Sequence, residues 1–333
     1  SGKGICDPSG NSKTLTVPGA CRVGRIHPLS FGSNDKRTAA SDEKYIWAQF
    51  CCDWCLPQFQ QHDRSASSPL HCVMTALTLP IQDTQSFFAN HRSVRRYKPY
   101  KIPQEHLDLL MFAAQRAPTD ATAQMYSFIR LVDPELRQWV AELSDNPHMA
   151  TASEAFIVCA DVFRLKELLQ SQGYAFGHFP LTALHFAIGD AVLAGQNMML
   201  AAELLGYRGC WVGGILTGID LLADRLQLPK GVWPFSGLTL GMSDEPPSTR
   251  PRLKPELIFH ENTYNIPSPM ELEEANLDMN PITRGGNWIA SLARYFASEG
   301  SMEQRETRLV HFLKRQGFDV DFGRETDKRT RRP

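Results

Sequence analysis

Short apolar strands alternating with helices over residues 74–320 predict a three-layer α+β or α/β domain, with helices packed on the faces of a sheet. Three observations carry this. The composition changes abruptly at Met74, after which long amphipathic runs begin. One apolar helix of about two dozen residues lies mid-chain. Brief β-rich runs such as YSFIRLV and AFIVCA stand between helical stretches.

In chain order, Gln82–Asn90 reads as a short helix. Pro103 sits at the first turn of a helix running to about Ala117, with Leu107, Leu110, Met111 and Ala114 on one face. Tyr126–Val132 reads as a strand. Asp133 caps a helix with Pro134 at its first position and Leu136, Val140 and Leu143 as its apolar face. Ala155–Ala160 is a short buried strand. Leu181–Leu205 is a long apolar helix ended by Gly206. It has the length of a membrane span, but His185, Asp190, Gln196, Asn197 and Glu203 fall inside it and each is costly in lipid, so a buried helix in a dimer core is expected. Gly209–Val212 and Phe235–Leu240 complete the strands.

The chain has 333 residues, 42% hydrophobic and 21% charged, which excludes wholesale disorder and low-complexity polymers. With 35 Lys+Arg against 36 Asp+Glu, the net charge of -1 provides no bulk basic field for nucleic acid. Residues 1–73 differ from the rest. They hold six of the 8 cysteines (Cys6, Cys21, Cys51, Cys52, Cys55 and Cys72) and none of the 10 methionines, and they show no sustained period. Cys52 and Cys55 form a C-x2-C that could be half of a zinc site, but no second half with regular spacing follows. A disulfide cluster and a cleavable targeting extension are the other readings. The reading favoured is a non-family extension, disordered or translated in frame upstream of a natural start at Met74. Residues 321–333 read as a basic tail.

Two basic clusters carry binding chemistry. His91-Arg92-Ser93-Val94-Arg95-Arg96 follows a helix, and on an extended stretch His91, Ser93 and Arg95 point one way and Arg92 and Arg96 the other. Arg250-Pro251-Arg252 holds two guanidinium groups on a stiffened segment. Both suit a phosphate, which needs convergent charge-assisted donors, and both read equally as solvated surface turns. Val212-Gly213-Gly214 follows a strand, where paired glycines let a backbone approach a flat ligand or merely make a turn. No Walker A, G-x-G-x-x-G, H-E-x-x-H or G-x-S-x-G pattern occurs, and no metal site is expected in residues 74–333.

His91-Arg92-Ser93-Val94-Arg95-Arg96-Tyr97 resembles the opening of the nitroreductase superfamily. The later order is similar to its NADPH-dependent flavin reductase and major oxygen-insensitive nitroreductase branch. It runs through Cys159-Ala160-Asp161, Gly195-Gln196-Asn197, Gly213-Gly214, Arg250-Pro251-Arg252-Leu253, His260-Glu261-Asn262-Thr263-Tyr264, Thr283-Arg284-Gly285 and Phe312–Phe318. The resemblance covers roughly Met74 to Phe318. It implies an α+β, three-layer, nitroreductase-like fold with a central, mostly antiparallel sheet, in a cytoplasmic, intertwined homodimer whose C-terminal extension wraps the partner. It implies FMN as cofactor and NADPH as co-substrate, with ping-pong hydride transfer to nitroaromatic, quinone or flavin acceptors. A non-catalytic FMN-binding or storage protein is the alternative.

By the same resemblance, His91, Ser93, Arg250 and Arg252 would contact the FMN phosphate and Arg92 the ribityl chain. Arg95 would stand at the flavin N1/O2 edge, the backbone of Val212, Gly213 and Gly214 would approach the ring, and Arg284 would select the NADPH phosphate. No side chain is expected to act as catalyst, since the flavin carries the chemistry. The sequence departs from the branch in four places. Thr151 stands where Gln is common at the flavin edge, Arg250 where Lys is usual, Trp211 for Tyr, and Leu216 for a polar or basic group.

Overall fold

The computed structural model describes residues 81–248, 250–283 and 285–318. The Cys-rich segment 1–73, the tail 321–333 and Arg284 lie outside the described residues. The helices are α1 (Ile81–Ala89), α2 (Gln104–Gln115), α3 (Pro134–Ser144), α4 (His148–Thr151), α5 (Phe163–Ser171), α6 (Pro180–Leu204), α7 (Ile219–Arg225), α8 (Pro269–Met279), α9 (Trp288–Phe296) and α10 (Ser301–Arg315). The strands are β1 (Tyr126–Arg130), β2 (Glu154–Asp161), β3 (Arg208–Val212) and β4 (Val232–Gly241). They form one sheet in the order β1-β2-β4-β3, antiparallel at every pairing.

The three expected layers follow from side-chain alternation along β2, which is buried at every residue. Phe156 and Val158 pack with Leu107 and Leu110 of α2 and Ala194, Met198 and Ala202 of α6. Ala155, Ile157 and Cys159 pack on the opposite face with Val140 of α3, Met149 of α4 and Leu222 of α7. Period-2 side chains on a sheet covered on both faces produce this division.

α6 buries Ala183, Ala187, Ala191, Ala194, Gly195, Met198 and Ala202, a stripe of mostly small side chains that brings its backbone close to the sheet. Its other face shows Leu181, Phe186, Leu193 and Leu204 to solvent. Gly206, at φ +85°, supplies the left-handed turn that stops it. Among the described residues no helix is long and apolar enough to cross a membrane.

Local signals account for several boundaries. The Asp133 side chain accepts from the Glu135 amide at 3.0 Å and Pro134 opens α3, as expected. Pro103 is the residue before α2 rather than inside its first turn, and Met111 turns out of the core that Leu107, Leu110 and Ala114 enter. β4 begins at Val232, three residues before the expected Phe235. Pro234 is tolerated inside it because the register slips at Val158/Cys159, a bulge where a ladder bond is already missing.

Residues 119–125, between α2 and β1, have an unusual backbone. Ala121, Thr122 and Gln124 have φ of 45°, 58° and 51°. The buried carboxylate of Asp190 on α6 holds them, accepting from the amides of Asp120 at 2.9 Å and Met125 at 2.8 Å. Beyond them, the odd-numbered residues of β1 pair with β2, so Tyr126, Phe128 and Arg130 turn their backbone groups to the open edge. There the Arg164 guanidinium donates to the carbonyls of Gln124 and Tyr126, the latter at 2.7 Å, and to Asp161 Oδ2 at 3.2 Å.

Candidate functional site

Residues 91–98 run as an extended strap across one end of the sheet. Ser93 bridges to Gly209 at the start of β3, the Val94 amide donates to the Gly209 carbonyl at 2.9 Å, and the Lys98 amide to that of Met242 at 2.9 Å. The expected alternation holds over residues 91–95. Arg92 and Val94 are buried, whereas His91 and Ser93 are half-buried and Arg95 is exposed. Arg96 departs from it and lies in solvent. Val94 anchors the strap, and the Tyr97 hydroxyl, which donates to the Val94 carbonyl at 2.6 Å and pairs with Thr239 at 2.9 Å, locks it to β4. Burial pushes the Tyr97 phenol well above its usual range, so the hydroxyl stays protonated for this role.

Glu245 fixes the next step. One carboxylate oxygen accepts from the amides of both Arg95 (2.7 Å) and Arg96 (2.8 Å). Burial pushes its pKa up, but those two amides, with the Arg96 and Arg92 guanidinium groups, outweigh it and hold the carboxyl below the usual range. The backbone at Arg95 is therefore set by an acid far away in sequence.

Cys210 lies on β3, next to the residue that Ser93 bridges. Burial pushes its thiol up, opposed by the Arg95 charge, by Ser93 and by Arg250, while the Glu245 charge adds to the rise. His148 of α4 also feels the Arg95 charge. Burial first, and then the Arg95 charge, lower its pKa from 6.5 to about 4, and its Nε2 is buried with no hydrogen-bond partner.

Just beyond Cys210, the two glycines differ. A Cβ on Gly213 would meet nothing within 4 Å, so its backbone lies open. A Cβ on Gly214 would lie 2.3 Å from both the Ser144 carbonyl oxygen and the Asn146 amide nitrogen, so only glycine fits there. An open backbone face, a firm back wall and clustered cations can hold a flat ligand that carries an anionic group.

The remaining sequence-predicted residues separate. His91 stands at the strap's start with its Nδ1 2.9 Å from Glu203. Among the described residues, the Arg92 guanidinium reaches only the carbonyls of Asn90 and Glu245, at 3.5 and 3.4 Å, and its buried Nε has no partner. Arg252 is exposed and turned onto the Pro251 carbonyl, with no tie to the cluster among the described residues. Thr151 is exposed at the end of α4, and it is Asn146, five residues earlier, that abuts Gly214. Trp211 faces the other way, its ring over Gly195 and its Nε1 3.3 Å from Gln196 Oε1.

Sequence reasoning missed Asn146, His148 and Glu245. Asn146 sits in a run that reads as a plain turn, and Glu245 in a loop without pattern. Glu203, an acid within an apolar helix, carried a readable signal. Among the described residues no group of three or more His, Cys, Asp or Glu side chains could hold a metal.

An antiparallel sheet covered on both faces, with a basic strap pinned beside β3 and an open glycine backbone at the end of that strand, forms an α+β ligand-binding scaffold. A profile described as the nitroreductase family matches residues 88–242. The chain is 34% identical over 189 residues to the FMN reductase (NADPH) of Bacillus subtilis (strain 168), covering 56% of this chain and 76% of that one. It is 30% identical over 229 residues to the oxygen-insensitive NADPH nitroreductase of Salmonella typhimurium, covering 68% of this chain and 88% of that one. The solved structure of the NfrA1 nitroreductase from B. subtilis superposes with a TM-score of 0.65 at 29% identity, over 70% of this chain and 98% of that one. The chain belongs to the nitroreductase family.

Proposed function

We propose that this protein is an FMN-dependent NADPH oxidoreductase that transfers reducing equivalents to nitroaromatic, quinone or flavin acceptors in a ping-pong cycle. The observation that carries the reading is the basic strap pinned beside β3, with the Val94 amide on the Gly209 carbonyl and the Arg95 and Arg96 amides on Glu245, together with the open backbone of Gly213 at the end of β3. This donor set fits the cofactor, since serine and guanidinium groups suit a phosphate dianion or an electron-rich ring edge.

The chemistry that FMN supplies when bound is a two-electron hydride relay from NADPH to the acceptor. The chain's own residues would bind and tune it. His91, Ser93, Arg250 and Arg252 would hold the phosphate, Arg92 would serve the ribityl hydroxyls, and the backbone of Val212, Gly213 and Gly214 would meet the ring. Arg95 would supply positive charge where reduction leaves negative charge, and so would favour the reduced form more than the oxidised one. His148, neutral at ordinary pH, adds no competing charge beside Arg95. Arg284 selects the NADPH phosphate.

A second copy of the chain completes the site. The exposed apolar side chains of α6 and of α9, where Ile289, Tyr295 and Phe296 are exposed and no residue is buried, suit a large homodimer interface. The C-terminal extension wraps the partner in that assembly, which works in the cytoplasm on its NADPH supply. Residues 74–320 carry the whole activity, and a chain beginning at Met74 binds FMN and turns over like the full chain.

The test is the absorption spectrum of the purified protein, followed by NADPH addition without oxygen. A yellow protein that bleaches with NADPH more readily than with NADH, and releases FMN rather than FAD on denaturation, is expected. A colourless protein that takes up no FMN refutes the reading.

A further inference from the structure

Glu203 sits where a carboxylate is poorly accommodated. It lies in the last turn of α6, where the helix dipole opposes negative charge, and its side chain is 3% exposed. Both of its oxygens stand 2.9 Å from one atom, Nδ1 of His91. No other hydrogen bond or ion pair to this carboxylate occurs among the described residues. A buried acid with a single partner is costly unless that partner is held firmly, so the pair constrains both members.

The constraint on His91 is the informative part. Its ring is 36% exposed, so one edge is clamped and the rest remains accessible. A carboxylate on one ring nitrogen fixes the ring's orientation and directs the other nitrogen outward, as in carboxylate-imidazole couples behind metal sites. Glu203 occupies Nδ1 and leaves Nε2 as the ring nitrogen able to meet a ligand. His91 lies two residues before Ser93 on the extended strap, hence on the same side. Free, the side chain would lose rotamer freedom on binding. Clamped by α6, that loss is already met in the folded protein.

We propose that Glu203 is a positioning residue for the FMN phosphate, holding His91 so that Nε2 is presented to a phosphate oxygen. This rests on the FMN reading above. Riboflavin shares the ring and ribityl chain of FMN but lacks the phosphate, so it separates a phosphate-specific role from a general structural one.

The experiment is calorimetric titration of the flavin-stripped protein with FMN and with riboflavin, for the parent, Glu203→Gln, His91→Ala and the double variant. Glu203→Gln is expected to weaken FMN about tenfold, the scale of one charge-assisted hydrogen bond, and riboflavin less than about twofold. The double variant should bind FMN no more weakly than His91→Ala, because Glu203 acts only through that ring. Glu203→Met, which removes the buried charge at similar volume, provides the same comparison if the amide variant folds poorly. Equal weakening of both ligands, unchanged FMN affinity, or additive losses in the double variant overturns the proposal. A parent protein that binds both ligands equally, or neither, instead refutes the phosphate-binding reading itself.

Discussion

Replacing Asp190 with Asn tests how residues 119–125 are held. The carboxylate accepts two backbone amides, from Asp120 at 2.9 Å and Met125 at 2.8 Å. Hydrogen bonds to charged groups contribute about 1.5–3 kcal/mol each. They act against a backbone in which Ala121, Thr122 and Gln124 all have positive φ, a conformation that costs non-glycine residues on the order of 1 kcal/mol or more apiece. Asparagine keeps one acceptor oxygen and turns an NH2 group toward the other amide, so one bond is lost and two donors face each other. The expected loss is about 2–4 kcal/mol. At roughly 2–4 °C per kcal/mol for a domain of this size, the thermal midpoint should fall by about 4–16 °C. The assay is urea unfolding combined with hydrogen exchange at the Asp120 and Met125 amides, which should lose protection before the sheet does. A loss under about 0.5 kcal/mol with both amides still protected would refute this account of the loop.

Three further outcomes are expected. Arg95→Ala should lower the flavin reduction potential by roughly 30 mV, equivalent to about 1.4 kcal/mol for a two-electron couple, and slow hydride transfer more than it weakens FMN; an unchanged potential with a large affinity loss would make Arg95 a phosphate ligand. Gly213→Ala should leave the thermal midpoint unchanged while weakening FMN, because its Cβ meets no protein atom, whereas Gly214→Ala should cost about 1–3 kcal/mol by driving Cβ into the Ser144 carbonyl; equal midpoints for the two would contradict the back-wall geometry. Since His148 is held at about 4 against 6.5 in the unfolded chain, the unfolded state binds the extra proton between those values, so stability is complete above pH 6.5 and falls as pH drops toward 4. His148→Gln should flatten the part of that slope between pH 6.5 and 5, and identical slopes in denaturant midpoints would remove His148 as its source.

Much of the fold was legible because local signals and tertiary packing agreed. Asp133-Pro134 fixed the start of α3, Gly206 ended α6, and the uninterrupted apolar run at 155–160 announced a strand covered on both faces. The C-terminal helices were not read as helices. α8 begins with a capping box, Ser268 with Glu271, but buries only Ala275 and Met279, and α9 buries nothing in this chain, so neither carries a strong core-facing stripe. On the strap, the two-residue period separates buried Arg92 and Val94 from His91, Ser93 and Arg95 as far as the segment stays extended. It could not reveal Glu245, which reaches Arg95 from 150 residues away, or Asn146, because which turn residue abuts Gly214 depends on how α3 and α4 pack. Arg92 shares its side of the strap with Val94 and is buried with it, as the two-residue period requires.

Arg164 also bears on how the protein behaves when concentrated. An open sheet edge is a template for any strand that can reach it. β1 spans five residues, and only Tyr126, Phe128 and Arg130 direct backbone groups outward. With the Arg164 guanidinium on the Tyr126 carbonyl, the stretch offered for pairing among the described residues shrinks to Phe128–Arg130, well short of the roughly 5–6 residues of a typical strand. One arginine anchored on buried Asp161 therefore both satisfies the first residues of the edge strand and shortens the stretch on which a second chain could pair.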